Sequence, residues 1–513
     1  GGVTPASATA VCADTAVPAA EIPELLAALV DRSLLQLAPG TGRYRMLETI
    51  REYGAGRLTG PDAVRDRAAA HFTALMAHHD PHLRGPSQLT AMKTMGAEYD
   101  NTLAALRHLC ATGNADGAIA LALTLAWFWQ MSGRQSDGAY WLSEALAVPG
   151  GAPTPERDCA RAVYLLNRTD LLSGITAGEA ADDRKEMREL AGRLLDHPRL
   201  PSHYRVFGPV LLFLLDPAAA LGIFPALAAG DDVWLAGLAH MFQAEIASNG
   251  GELDEMRTHV DAALSRFRQA GDRWGQAAIL PMRAQLRRYD DLDGALADLD
   301  AARTMAAGFG ALSLGDQLYS DLRWVDLHLR RGDTGRALAL LGAARDRALQ
   351  ASSAEMLAVV DAWEAGVRVR LGELDRAREL LGKTFAGEQL LTLAGCTRAA
   401  LAVAVGDPAA AEAALGEAYA AALATGELPV LSSVAVHGAE LEAARGRFGE
   451  SAMLLGVASR LRGTHDRTDP QVRALTRRGR AALGEDGFAS AYGKGWELDP
   501  ATAVTVADPA ARR

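Results

Sequence analysis

The chain has 513 residues and a formal charge of −11, from 63 Asp and Glu against 52 Lys and Arg. That acidic balance opposes a role in neutralising nucleic-acid phosphates, and the length exceeds what one hydrophobic core organises, leaving about three ordinary domains or one extended array. Aromatics at 6% in a chain that is 49% hydrophobic and rich in Ala, Leu, Gly and Arg favour helix packing over β sandwiches.

Residues 1–60 differ from the rest. An apolar-periodic helix is expected over 22–35, strands over 34–37 and 44–47 around Pro39, Gly40, Thr41 and Gly42, and a second helix over 48–58. Helix, β-hairpin and helix form the skeleton of a winged-helix module. The chain opens inside it on Gly1 and Gly2 without an initiator Met, so it reads as a fragment. Leu47 reads as a core residue of the second strand.

A connecting helical segment is expected over 61–150. His78, His79 and His82 collect potential metal ligands there, but Pro81 interrupts the helix and a solvated helix end is the simpler account. The uncharged run 117–133 is short for a membrane span and reads as a buried core helix. Trp127, Trp129, Tyr140 and Trp141 are candidates for a partner or effector surface, against a competing reading as inter-helix packing.

From 151 to 445 helices follow one another, broken at Gly251, Gly332, Gly372, Gly406 and Gly446, with a degenerate copy at Asp291 to Ala295. The spacing of about 34 to 41 residues is that of two-helix solenoid repeats. In the cleanest copy Gly332 and Asp333 end one helix, where a left-handed backbone suits glycine, and Ala337 allows a close approach by the next. Leu318, Leu322, Val325 and Leu329 share one face before the turn; Ala337, Leu340, Leu341 and Ala344 share one after it. Each hairpin therefore needs a neighbour to cover it. Trp324 and Trp363, in first helices of later repeats, read as structural. Gly382-Lys383-Thr384 lacks a glycine at Ala377 and is no phosphate-binding loop.

Capping helices and a tail are expected over 446–513, where Arg473, Arg477, Arg478 and Arg480 form a face followed by Glu485 and Asp486. Cys12, Cys110, Cys159 and Cys396 have neither zinc nor disulfide spacing, which fits a reducing cytoplasm. No catalytic triad or paired carboxylates can be singled out, so the expectation is a non-enzymatic chain with no catalytic or metal residues and no cofactor of its own.

The turns Gly332-Asp333 with Ala337, Gly372-Glu373 with Ala377, and Gly406-Asp407 with Ala410 or Ala411 resemble the tetratricopeptide repeat. The implied fold is all-α, a tetratricopeptide-like αα-hairpin solenoid preceded by a partial winged helix. The segments Leu29 to Leu35 and Arg43 to Tyr53 resemble actinobacterial transcriptional regulators built around an NTPase of the signal-transduction, apoptotic-ATPase-like class. So do Glu98-Tyr99-Asp100-Asn101, Tyr140-Trp141-Leu142 and the ending with Asp466 to Pro470. This resemblance implies a sensor and scaffold that binds a protein or small-molecule effector and restrains an upstream NTPase core of the same polypeptide. ATP or ADP would bind only in that core, and nucleic acid only through other domains. Self-association stays open, and no membrane contact is implied. The family's Met-His-Asp switch signature reads Met46-Leu47-Glu48 here, and Leu47 cannot make the histidine's polar contact with nucleotide phosphate. The alternatives are a nucleotide-hydrolysing enzyme or a direct DNA-binding regulator.

Overall fold

A computed structural model describes residues 2–13, 17–57, 61–151, 153–169, 177–197, 200–310 and 314–512. The chain is helical throughout except for one two-stranded sheet among the described residues.

At the N-terminus, helices Pro5–Cys12 and Ile22–Asp31 precede antiparallel strands Gln36–Ala38 and Arg43–Arg45, and helix Glu48–Ala55 follows. The strands pair Gln36 with Arg45, Leu37 with Tyr44 and Ala38 with Arg43. This differs from the expected spans. The first helix stops at Asp31 because Ser33 turns the backbone into the left-handed region at φ 59°. Pairing then starts two residues late and runs out at Arg45. Leu47 is consequently not a strand core residue: it lies past the sheet, capping the next helix, and is 52% exposed. The small core of this unit, Ala8, Ile22, Leu26 and Leu35, closes without it. The expected helix end at Leu58 lies outside the described residues.

The next helices, from Pro61–His79 to Phe224–Ala228, share one apolar core that runs from Ala69 to Phe309 and so continues into the regular array. The run 117–133 is buried as expected but is two helices, Ala115–Thr124 and Ala126–Met131.

Regular pairing begins at Val233. Six consecutive hairpins follow: Val233–Asn249 with Leu253–Ala270, Arg273–Arg287 with Leu292–Ala306, Leu314–Arg331 with Thr334–Gln350, Ala354–Arg370 with Leu374–Leu381, Glu388–Ala404 with Pro408–Thr425, and Leu428–Ala444 with Phe448–Arg462. Helices Pro470–Trp496 and Pro500–Ala507 cover the last. The turn chemistry is the expected one. Gly332 sits at φ 92°, the N–H of Asp333 donates to His328 O at 2.8 Å, and Ala337 is fully buried between helices. Leu318, Leu322, Val325, Leu341, Ala344 and Val360 make the core shared with the next hairpin, the nearest-neighbour burial that defines a solenoid.

The array also closes on itself. After the sixth hairpin, the chain at 463–469 returns to the first three. The Arg467 N–H donates to Tyr289 O at 3.3 Å, and the Thr468 hydroxyl to Arg288 O at 2.5 Å. Arg330 Nη1 donates to both oxygens of Asp466 at 3.0 Å. At the same seam a side chain on Gly251 would lie 2.5 Å from Leu461 O, and one on Gly463 would collide with Gly251 O. Two backbones meet there with only hydrogen between them.

Candidate functional site: a concave cavity

An open cavity of about 690 Å³ is lined mainly by the first helices of hairpins two to five and by the start of the sixth. Helical spacing places the lining. Ala284 and Arg288 lie one turn apart, as do Leu322 and Asp326, and Glu355, Val359 and Trp363 fall at i, i+4 and i+8 on a single face. The same helices turn their other faces to the inter-hairpin cores, so one helix serves packing and cavity at once.

Leu299, Leu322, Leu327, Val359 and Leu393 supply the apolar part of a lining that is about equally polar, and Tyr319 and Trp363 add aromatic groups. The polar groups gather in two places. In the first, Arg288 faces Asp326 at 3.6 Å, and Asp326 also takes Arg330 at 2.9 Å. In the second, Gln389 Nε2 donates to Glu427 Oε1 at 2.8 Å. Burial pushes the Glu427 carboxyl above its ordinary pKa, with the Gln389 hydrogen bond acting against the rise. Glu245, on the first hairpin, is raised as well, by burial and then by the charge of Glu427, while Arg323 pulls it back. The arrangement can bind a ligand that carries both apolar and polar groups.

The four aromatics expected as a surface are not presented together. Trp129 is fully buried and donates from Nε1 to the Tyr99 hydroxyl at 2.8 Å, which in turn donates to Asp137 at 2.8 Å. Trp127 is buried against Phe207, Trp234 and Trp274, with ring centres 6.0, 4.8 and 6.3 Å away. Trp141 is buried under Arg107. Only Tyr140, 57% exposed, faces outward. The surface reading is corrected for the three tryptophans, because Trp127 packs between the connecting helices and the first two hairpins, while Trp129 and Trp141 are buried among the connecting helices.

Met46, Leu47 and Glu48 form an exposed step beside the hairpin. Gly332, Gly372 and Gly406 occupy turns with positive φ. Ala337 and Ala377 are buried contacts, whereas Asp333 does not cap its helix with its side chain and sits 3.4 Å from His328. Lys383 pairs with the buried Asp361 at 2.5 Å, so Gly382-Lys383-Thr384 serves repeat packing. The rings of His78, His79 and His82 lie 5.0 to 6.4 Å apart, but no group of three or more such ligands among the described residues could hold a metal. Arg473, Arg477, Arg478 and Arg480 are exposed or half-used: Arg478 donates to Ala443 O at 3.2 Å and Arg480 pairs with Glu485 at 3.1 Å. The four cysteines are free thiols. Among the described residues no helix is long and apolar enough to cross a membrane.

Sequence reasoning missed Tyr319, Arg323, Glu355, Gln389 and Glu427 as cavity residues and took Trp363 as structural only. The signal was the second stripe on each first helix, which the stronger apolar stripe beside it masked.

No protein-family model and no curated protein matches the chain. Among solved structures, a signal-transduction ATPase with numerous domains carrying a tetratricopeptide-repeat sensor, from Pyrococcus horikoshii, aligns at 11% identity and a TM-score of 0.32. The alignment covers 96% of this chain and 63% of that one, so this chain spans less than two thirds of its length.

Proposed function

We propose that this chain is the sensor and scaffold region of a bacterial signalling regulator, whose closed helical array takes an effector or protein partner and restrains a nucleotide switch preceding it in the polypeptide. The observation that carries the reading is the cavity: a ligand-sized space with aromatic groups in its lining, in an array whose last hairpin is followed by a return to its start at Asp466 to Asp469. A ligand that fits one arrangement of the hairpins better than another shifts the equilibrium between them.

A route for that shift exists at the other end. Arg43, in the second strand, is held by a buried bidentate pair with Glu98, at 2.6 and 2.9 Å, and donates to Gly2 O at 2.7 Å. Asn101 donates to the same Gly2 carbonyl at 2.9 Å and to Glu98 at 2.7 Å. The Glu98 to Asn101 motif thus ties the sheet unit to the connecting helices, and the exposed Met46, Leu47 and Glu48 are the contact offered to the switch. In this reading the sheet unit closes a winged helix, ATP or ADP binds upstream, DNA is reached through other domains, and the regulator works in the cytoplasm on transcription.

The test is nucleotide turnover by the full parent polypeptide. Glu98→Gln, which weakens the junction while leaving the array folded, should change turnover or its response to effector. Turnover equal to wild type in a folded variant would refute the coupling.

A further inference from the structure

We infer that the concave cavity binds a small amphipathic organic cation, an aromatic or aliphatic body bearing a protonated amine, with the amine beside Glu427 and the body against Trp363, Tyr319 and Leu322. The inference rests on the sensor reading of this cavity and names its ligand class.

Charge and shape point the same way. The lining carries Arg288 and Arg323 against Asp326, Glu355, Glu388 and Glu427. Arg288 lies opposite Asp326, so the excess over that pair is negative. Burial raises the cost of ionising Glu427 in the lining, and a cation beside it offsets that cost. An anion would add to it. The Gln389 amide fixes Glu427 in position, which orients the carboxylate before any ligand arrives. Tyr319 and Trp363 offer ring faces that attract a cationic, partly desolvated group as well as an apolar one. A volume of about 690 Å³ accommodates a drug-sized molecule, within the range of such pockets.

The probes are dansylcadaverine, its neutral N-acetyl derivative and the anionic dansylglycine, titrated by fluorescence against the whole chain. The amine should bind, with the neutral compound roughly tenfold weaker and the anion weaker still. Glu427→Gln should weaken the amine severalfold and leave the neutral compound unchanged, whereas Trp363→Ala should weaken both. Melting curves of both variants establish that each is folded. No binding of the amine, equal binding of the three probes, or an amine affinity indifferent to Glu427→Gln would overturn the inference. Failure of the sensor reading looks different: parent turnover that ignores the Glu98 junction while dansylcadaverine still binds.

Discussion

Arg330 and Asp466 stand 136 residues apart in sequence and form one buried ion pair, and around it the array turns back on its own start. Burial opposes charge on both. Asp326, Asp466 and Asp469 nevertheless hold the Arg330 guanidinium above its ordinary pKa, and Arg330 with Arg462 holds the Asp466 carboxyl below its own. Removing one partner of such a pair strands the other, so Arg330→Met should cost about 3–5 kcal/mol, while Arg330→Met with Asp466→Leu should cost less. Because the Asp466 pKa is lower folded than unfolded, its stabilisation is present above the unfolded value near 3.9 and fades as pH falls through the folded one. Denaturation midpoints at pH 7 and pH 3 would show this: the gap between wild type and Asp466→Asn should shrink on acidification.

Asp272 should behave in the opposite sense. Its carboxylate is buried and accepts from Gln88 Nε2 at 2.5 Å, Trp234 Nε1 at 2.7 Å, Trp274 N at 2.9 Å and Gly275 N at 3.1 Å. Burial nonetheless pushes its pKa up, against those hydrogen bonds. The folded state therefore holds this proton more tightly. The contribution of Asp272 is full below the unfolded pKa and declines as pH rises through the folded one. Asp272→Asn should flatten that decline, and Asp272→Ala, which orphans several buried donors, should destabilise by about 1–3 kcal/mol or more at every pH. Thermal melts between pH 3 and 7 would decide it.

Turn glycines and seam glycines should differ. At Gly406, φ 80°, a side chain would meet nothing within 4 Å, so Gly406→Ala loses only the left-handed preference, roughly 1–2 kcal/mol. Gly463, φ 84°, faces Gly251 O directly, and Gly463→Ala must also push the seam apart. Equal melting temperatures for the two variants would show that the seam does not close in solution.

The aromatic junction should respond as core. Trp129→Phe removes the donor to the Tyr99 hydroxyl and should cost about 1 kcal/mol from the hydrogen bond alone. Tyr140→Ala, at an outward position, should stay within about 0.5 kcal/mol. Urea titrations of the two variants provide the comparison, and a Tyr140→Ala loss matching that of Trp129→Phe would contradict this packing.

By itself the sequence determined the helical elements and their pairing. An apolar stripe with a 3.6-residue period, cut by glycines that alone take a left-handed turn cheaply, encodes a helix and its nearest partner within some 40 residues. Ala337 under Gly332 is legible for that reason. The strand limits were not, since pairing depends on where Ser33 turns the chain, and alternation alone does not place that turn. The role of Trp127 and Trp129 stayed open because an aromatic on a helix looks the same from the sequence whether a neighbour or solvent covers it; Phe207, Trp234 and Trp274 decided it for Trp127, and Tyr99 for Trp129. The cavity was wholly a tertiary matter. Arg288, Arg323, Trp363, Gln389 and Glu427 come from five different hairpins and line one cavity only because the hairpins stack, in an array whose chain returns to its start at Gly251, Gly463, Arg330 and Asp466. Contacts between residues so far apart in the chain leave no periodic mark, so the physical decision is made by backbone approach and buried charge, after the helices have formed.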